Sequence, residues 1–181
     1  MPFKTTFQKT QDVISVYITS LENYTDETFL MKKDENTWSI GQMYEHLLVS
    51  AQFFIYQTNN CLSEKKGQTG GDKTDIGENI YKYGGFPPIK IKIPEAYQNA
   101  EPLVPKTRTE YKTFFVNLLL QMEKMLEILE KNNEQNNEKY KVKHAVCGFL
   151  DALEWYKMVC YHSEHHFIQK KDLEMFIGVV K

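Results

Sequence analysis

Apolar residues recur every three to four positions in four stretches, which predicts four amphipathic helices at about residues 5–23, 39–60, 107–131 and 151–176. In the first, Val13, Val16, Tyr17 and Leu21 form the inner stripe. Thr5 with Gln8 has the form of a capping box, in which the two residues satisfy each other's free backbone N–H groups. The second opens on Ser39 with Gln42, and Trp38 is placed to staple onto Met43; its inner face reads Gln42, Met43, His46, Val49, Ser50, Phe53 and Gln57. The third starts at Thr107 with Glu110, runs through Phe114, Leu118, Met122, Met125 and Leu129, and dissolves in Asn132 to Glu138. The fourth starts at Asp151 with Glu154, with Leu150 placed to staple onto Trp155, and ends near Phe176 ahead of Gly178.

The connections are uneven. Tyr24 to Thr37 is polar and broken, with Phe29, Leu30 and Met31 expected to pack back onto the bundle. From Leu62 to Lys106 repeated glycines and prolines exclude a long helix, leaving room for a helical turn at Asp75 to Tyr83. Ile89 to Ile93 alternates like a strand, but no partner strand is evident, so an extended covering piece is expected. A connection of this length inside a compact domain is usually functional or a lid. It is also long enough to carry the chain back along a helix, so that helices two and three run parallel. The reading is an all-α four-helix bundle, a single domain over residues 1–181, with a long connection between helices two and three.

Composition narrows the function classes. A chain of 181 residues buries a full core without disulfide staples, and its net charge of −2, with Lys and Glu intermixed, carries no footprint for nucleic acid. Cys61, Cys147 and Cys160 are widely spaced and lack a CxxC pair, so free thiols in a reducing compartment are expected. The amino terminus has no apolar signal core, and no run reaches the roughly 18 apolar residues of a membrane helix, so the expectation is cytoplasmic with no membrane partner. Gly67 to Thr74 resembles a phosphate loop superficially, but Asp72 stands where a glycine belongs and no strand precedes it.

The candidate chemistry lies in the histidines. At about 100° per residue, His162 and His166 lie about 40° apart on the fourth helix, interrupting a stripe of Trp155, Met158, Val159, Leu173 and Phe176. Unpaired imidazoles in an apolar interior cost roughly 1–3 kcal/mol each, so the fold must supply partners, whether core hydrogen bonds or a divalent metal. His46 on the second helix completes a three-imidazole set if the two faces meet, and such a set leaves a fourth position open for water or substrate. His165 sits about 60° from His162 on its other side, as a hydrogen-bond partner behind the ligands, an alternative ligand or a base at the pocket edge. Gln169, three residues beyond His166 on the same inner face, is a candidate hydrogen-bond partner behind the metal ligands. A zincin motif is excluded because Ser163 follows His162, while Glu164, Glu45 and Cys160 turn away from the metal face. His144 is expected to be solvated in a connector. Metal binding is expected to weaken below the imidazole pKa of about 6.5.

The string Trp38-Ser39-Ile40-Gly41-Gln42-Met43-Tyr44-Glu45-His46-Leu47-Leu48, followed by Gly148-Phe149-Leu150, Glu154-Trp155, His162, His165-His166 and Gln169, resembles the DinB/YfiT-like metalloenzyme family over essentially the whole chain. The resemblance implies an up-down-down-up bundle holding a divalent metal, often zinc or nickel, through His46, His162 and His166. It also implies frequent homodimers, and thiol-dependent transferases and isomerases among the relatives, using low-molecular-weight thiols such as bacillithiol or mycothiol. The expected function is therefore a metal-dependent S-transferase acting on a small-molecule substrate through a metal-activated thiolate. The alternatives are a hydrolase using metal-activated water and a non-catalytic metal-binding stress-response protein.

Overall fold

In the computed structural model, which describes residues 3–87, 103–132 and 138–180, long helices form where the stripes place them. Helix α1 (Phe3–Ser20) runs into a 3-10 turn at Leu21–Asn23, followed by a short α2 (Asp26–Leu30) and the long α3 (Ile40–Leu62). After β1 (Gln68–Thr69) and α4 (Asp75–Tyr83) come α5 (Arg108–Lys131), β2 (Tyr140–His144), β3 (Gly148–Leu150), α6 (Ala152–His165) and α7 (Phe167–Phe176). The strand-like stretch Ile89 to Ile93 lies outside the described residues. No described helix is long and apolar enough to cross a membrane.

The capping boxes at Ser39/Gln42, Thr107/Glu110 and Asp151/Glu154 are all formed, fixing the starts of α3, α5 and α6. The one read at Thr5 is not. Helix α1 is already helical at Phe3, and the Gln8 side chain instead donates to Asp12 Oδ1 at 3.2 Å. Val16, on the inner stripe by spacing, faces outward, and of the 29–31 trio Phe29 is buried whereas Leu30 and Met31 are exposed. Helix α3 is turned relative to expectation. Because it packs against α6, α5, α2 and β2, its buried arc is wide and carries Met43, Tyr44, Leu47, Leu48, Ala51, Phe54 and Ile55. Val49 and Phe53 lie at the edge of that arc, 43% and 46% exposed.

The expectation of helices alone is corrected by a small antiparallel sheet in the order β1-β2-β3, with Thr69 opposite Tyr140, and Val142, Lys143 and His144 opposite Leu150, Phe149 and Gly148. It caps the start of α6, where the Trp155 indole N–H donates to Val142 O at 3.2 Å. The fourth predicted helix is also interrupted: at His166 ψ opens to −3°, separating α6 from α7.

An aromatic cluster of Tyr17, Tyr24, Phe29, Tyr44, Tyr111 and Phe115 fills the bundle centre. Its hydroxyls are paired, as buried polar groups must be. Tyr44 donates to Tyr17 O and Tyr17 to Ser163 O, each at 2.7 Å, and Tyr24 donates to the buried Glu174 carboxylate at 2.6 Å. Glu174 also pairs with buried Lys170 at 2.6 Å. The start of α5 is joined to the start of α3 through Glu45, which accepts from Tyr111 at 2.7 Å and Lys106 at 2.5 Å. The end of α3 meets the start of α6 through Cys61 Sγ and Leu150 O at 3.6 Å. All three cysteines are buried free thiols.

Candidate metal centre

His46 stands in the second turn of α3, whose start is set by the Ser39/Gln42 box; Gln42 Nε2 also donates to Leu103 O at 3.3 Å. Trp38, expected as a staple on Met43, packs its ring 5.0 Å from that of His46. His162 lies near the end of α6 and His166 at the break before α7. The Nε2 atoms of His46 and His162 are 3.2 Å apart, and those of His166 and His162 are 3.3 Å apart. Among the described residues these three are the group whose ligand atoms gather within 4.8 Å, and each is partly accessible.

The spacing suits a metal better than hydrogen bonding. An imidazole nitrogen has one in-plane direction, either an N–H or a lone pair, so His162 Nε2 cannot form straight hydrogen bonds to both neighbours at once. Three ligands at about 2.0–2.1 Å around a tetrahedral ion stand ~3.3–3.4 Å apart, close to the spacing present here. His166 Nδ1–H donates to Gln169 Oε1 at 2.7 Å, which leaves its Nε2 as a lone pair.

The electrostatics agree with a neutral donor set. Burial, followed by the charge on His166, lowers the His46 pKa to about 3, and burial lowers His166 to about 4 despite the Gln169 hydrogen bond. His162 is held well below its ordinary value by burial and then by His166 and His46. Neighbouring carboxylates are engaged elsewhere: Glu164 pairs with Lys9 at 2.6 Å, and Glu45 with Lys106. Cys160 is buried toward α1, its thiol raised to about 11 by burial.

His165 is not gathered with the other three. Its ring lies 5.2 Å from Phe86 and 5.7 Å from His166; it hydrogen-bonds the Pro87 backbone, and its buried Nδ1 has no partner among the described residues. It borders a cavity of about 950 Å³ with Lys9, Tyr83, Tyr161, Glu164 and Ile168. His144, expected to be solvated, is instead enclosed by the hairpin. Its Nδ1 accepts the Val146 and Cys147 N–H groups at 3.1 Å, its ring packs 5.2 Å from Trp155, and burial lowers its pKa to about 4. The links through Tyr17, Ser163 and Tyr44 went unread because a tyrosine on an apolar stripe reads simply as core. Lys73 of the apparent phosphate loop is engaged by Glu154 at 2.8 Å.

Comparisons with known proteins follow the same lines. The family model of the DinB superfamily matches residues 7–169. No curated protein matches the chain in sequence. Among solved structures, YfiT from Bacillus subtilis is similar, with a TM-score of 0.61 and 14% identity over 97% of this chain and 87% of that one. That protein is described as a probable metal-dependent hydrolase with an unusual four-helix bundle topology.

Proposed function

The chain belongs to the DinB superfamily, and from that premise we propose that it is a divalent-metal-dependent enzyme, a hydrolase, with His46, His162 and His166 as the metal ligands. The observation that carries the reading is the pair of 3.2 and 3.3 Å Nε2 separations meeting at His162. Zinc or nickel suits three imidazole donors. A metal held there supplies Lewis acidity, lowering the pKa of water toward about 7. The chain's own part is to aim three lone pairs, to fix the His166 tautomer through Gln169, and to flank the site with Trp38 and Phe86.

Hydrolysis is preferred over thiol transfer because YfiT is described as a probable hydrolase and matches along nearly the full length. An up-down-down-up course for α1, α3, α5 and α6 is part of the same proposal. It is supported by the contacts of Glu45 with Tyr111, which join two helix starts, and of Cys61 with Leu150, which join an end to a start.

The test is metal analysis of protein purified without a histidine tag, beside His46→Ala and His162→Ala, followed by ester and amide substrates assayed with and without added thiol. About one equivalent of divalent metal, lost in both variants, and turnover without thiol are expected. Turnover that needs a thiol would move the assignment to a transferase. A wild-type protein that retains no divalent metal would overturn the reading.

A further inference from the structure

Three neutral imidazoles leave the charge of a divalent ion uncompensated, and the next ring of contacts does not supply the missing negative charge. The partner that orients His166 is the neutral amide of Gln169, at 2.7 Å, where metal-bound histidines often use a carboxylate. The adjacent carboxylates Glu45 and Glu164 are neutralised by Lys106 and Lys9. The charged groups that bear most on the three rings are other histidines. An anion entering the open position is therefore favoured over a neutral ligand of the same shape.

The surroundings are also aromatic. Buried Phe54 meets the His162 ring edge to face at 5.4 Å. Half-buried Trp38 and Phe86 flank it, with rings 5.0 Å from His46 and 6.3 Å from His162. Along α3, Val49 and Phe53 continue the His46 face and remain 43% and 46% exposed. Large apolar side chains left open beside a charged centre mark a place for a ligand's apolar body.

We propose that the site selects small organic anions carrying an aromatic or similarly bulky apolar group, with the anionic head on the three-histidine centre and the apolar body against Trp38 and Phe86. This rests on the metal-dependent reading above and names its substrate class. The same recognition serves a substrate carboxylate or the anion released when an aryl ester is cleaved.

Binding is measured without turnover. The protein is loaded with cobalt(II), and its visible absorption is titrated with benzoate, acetate and benzamide. Benzoate is expected to bind at least tenfold more tightly than acetate, and benzamide to leave the spectrum unchanged. Trp38→Ala and Phe86→Ala, assayed separately so that one folding failure does not decide the matter, should each reduce the advantage of benzoate over acetate several-fold. Cobalt loading with equal benzoate and acetate affinities, with benzamide binding as tightly as benzoate, or with an advantage unchanged in the variants overturns this inference alone. A protein that takes up no cobalt overturns the metal-centre reading and this inference together.

Discussion

Lowering the pH from 7 to 5 separates a metal site built into the fold from a loose group of histidines. For ordinary imidazoles with pKa about 6.5, three ligands carry about 2.3 protons between them at pH 6. Displacing those protons weakens binding by roughly 70-fold, about 2.5 kcal/mol. Here burial and the mutual proximity of the rings hold His46 near 3 and His166 near 4, with His162 also far below its usual value. The folded site is thus almost free of protons at pH 6, and the penalty has already been met in folding. Zinc affinity should consequently change little between pH 7 and 5, and ligand deprotonation should contribute almost no proton release. This revises the sequence-based expectation of weakening below about 6.5.

The cost appears instead in the stability of the metal-free protein. A histidine whose pKa is depressed in the folded state contributes stability above its unfolded pKa, and that stability is lost as pH falls. At pH 5.5, His46, His166 and His144 each give up roughly 1 kcal/mol. Asp151, raised to about 6 by burial and then by Glu154, acts in the opposite direction. The histidines win. Calorimetric zinc titrations at pH 6.0 in two buffers of different ionisation enthalpy measure proton release, and urea melts at pH 7 and 5.5 measure stability. Release of two or more ligand protons at pH 6, with binding half lost near pH 6.5, would refute the reasoning.

Replacing Gln169 with Leu removes the acceptor of His166 Nδ1–H and should weaken zinc binding about 10–100-fold with helical content retained, read by chelator competition and circular dichroism. Tyr24→Phe deletes a buried donor to Glu174 and should cost about 1.5–3 kcal/mol in urea melts. Lys170→Met leaves that carboxylate without its cation and should cost more, about 3–5 kcal/mol; a smaller loss than for Tyr24→Phe would contradict the pairing. A Cβ at Gly77 would sit 2.2 Å from Cys147 O, whereas one at Gly85 meets nothing within 4 Å. Gly77→Ala should therefore lower stability by about 1–3 kcal/mol in thermal melts, with Gly85→Ala close to neutral.

The parts of the fold legible in the sequence were those with a local physical signature. The Ser39/Gln42, Thr107/Glu110 and Asp151/Glu154 boxes act over three residues, so a pattern of four letters is enough to identify them. The convergence of His46 with His162 and His166 was legible because the latter two share a helix face and bundle faces turn inward. The rotation of α3 was not: it depends on how many helices surround it, so Val49 and Phe53 were placed inside on spacing alone. Strands of five and three residues at Tyr140–His144 and Gly148–Leu150 are too short to establish alternation. Their existence depends on pairing, and on His144 satisfying two turn amides, neither of which a linear pattern records. The break at His166 carries no proline or glycine.

Helix α1 supplies no ligand but is hydrogen-bonded to both of the walls that do. Tyr44, two residues before His46, donates to Tyr17 O, and Tyr17 donates in turn to Ser163 O, one residue after His162. A hydrogen-bonded path through α1 thus ties the two histidine-bearing segments together, and Phe167 stacks on Tyr17 at 5.3 Å just beyond His166. Tyr17→Phe keeps the ring, removes the tie and leaves a buried carbonyl short of a partner, at a cost of about 1–3 kcal/mol. Tyr156→Phe breaks a comparable buried bond, to Met122 O at 3.1 Å, which joins α6 to α5 and not to α3. Similar losses of stability are expected in the two variants, with weaker zinc binding in Tyr17→Phe alone, as read by chelator competition well below the melting temperature. Equal zinc affinities in the two would mean that the spacing of the histidines is held by packing and not by this path.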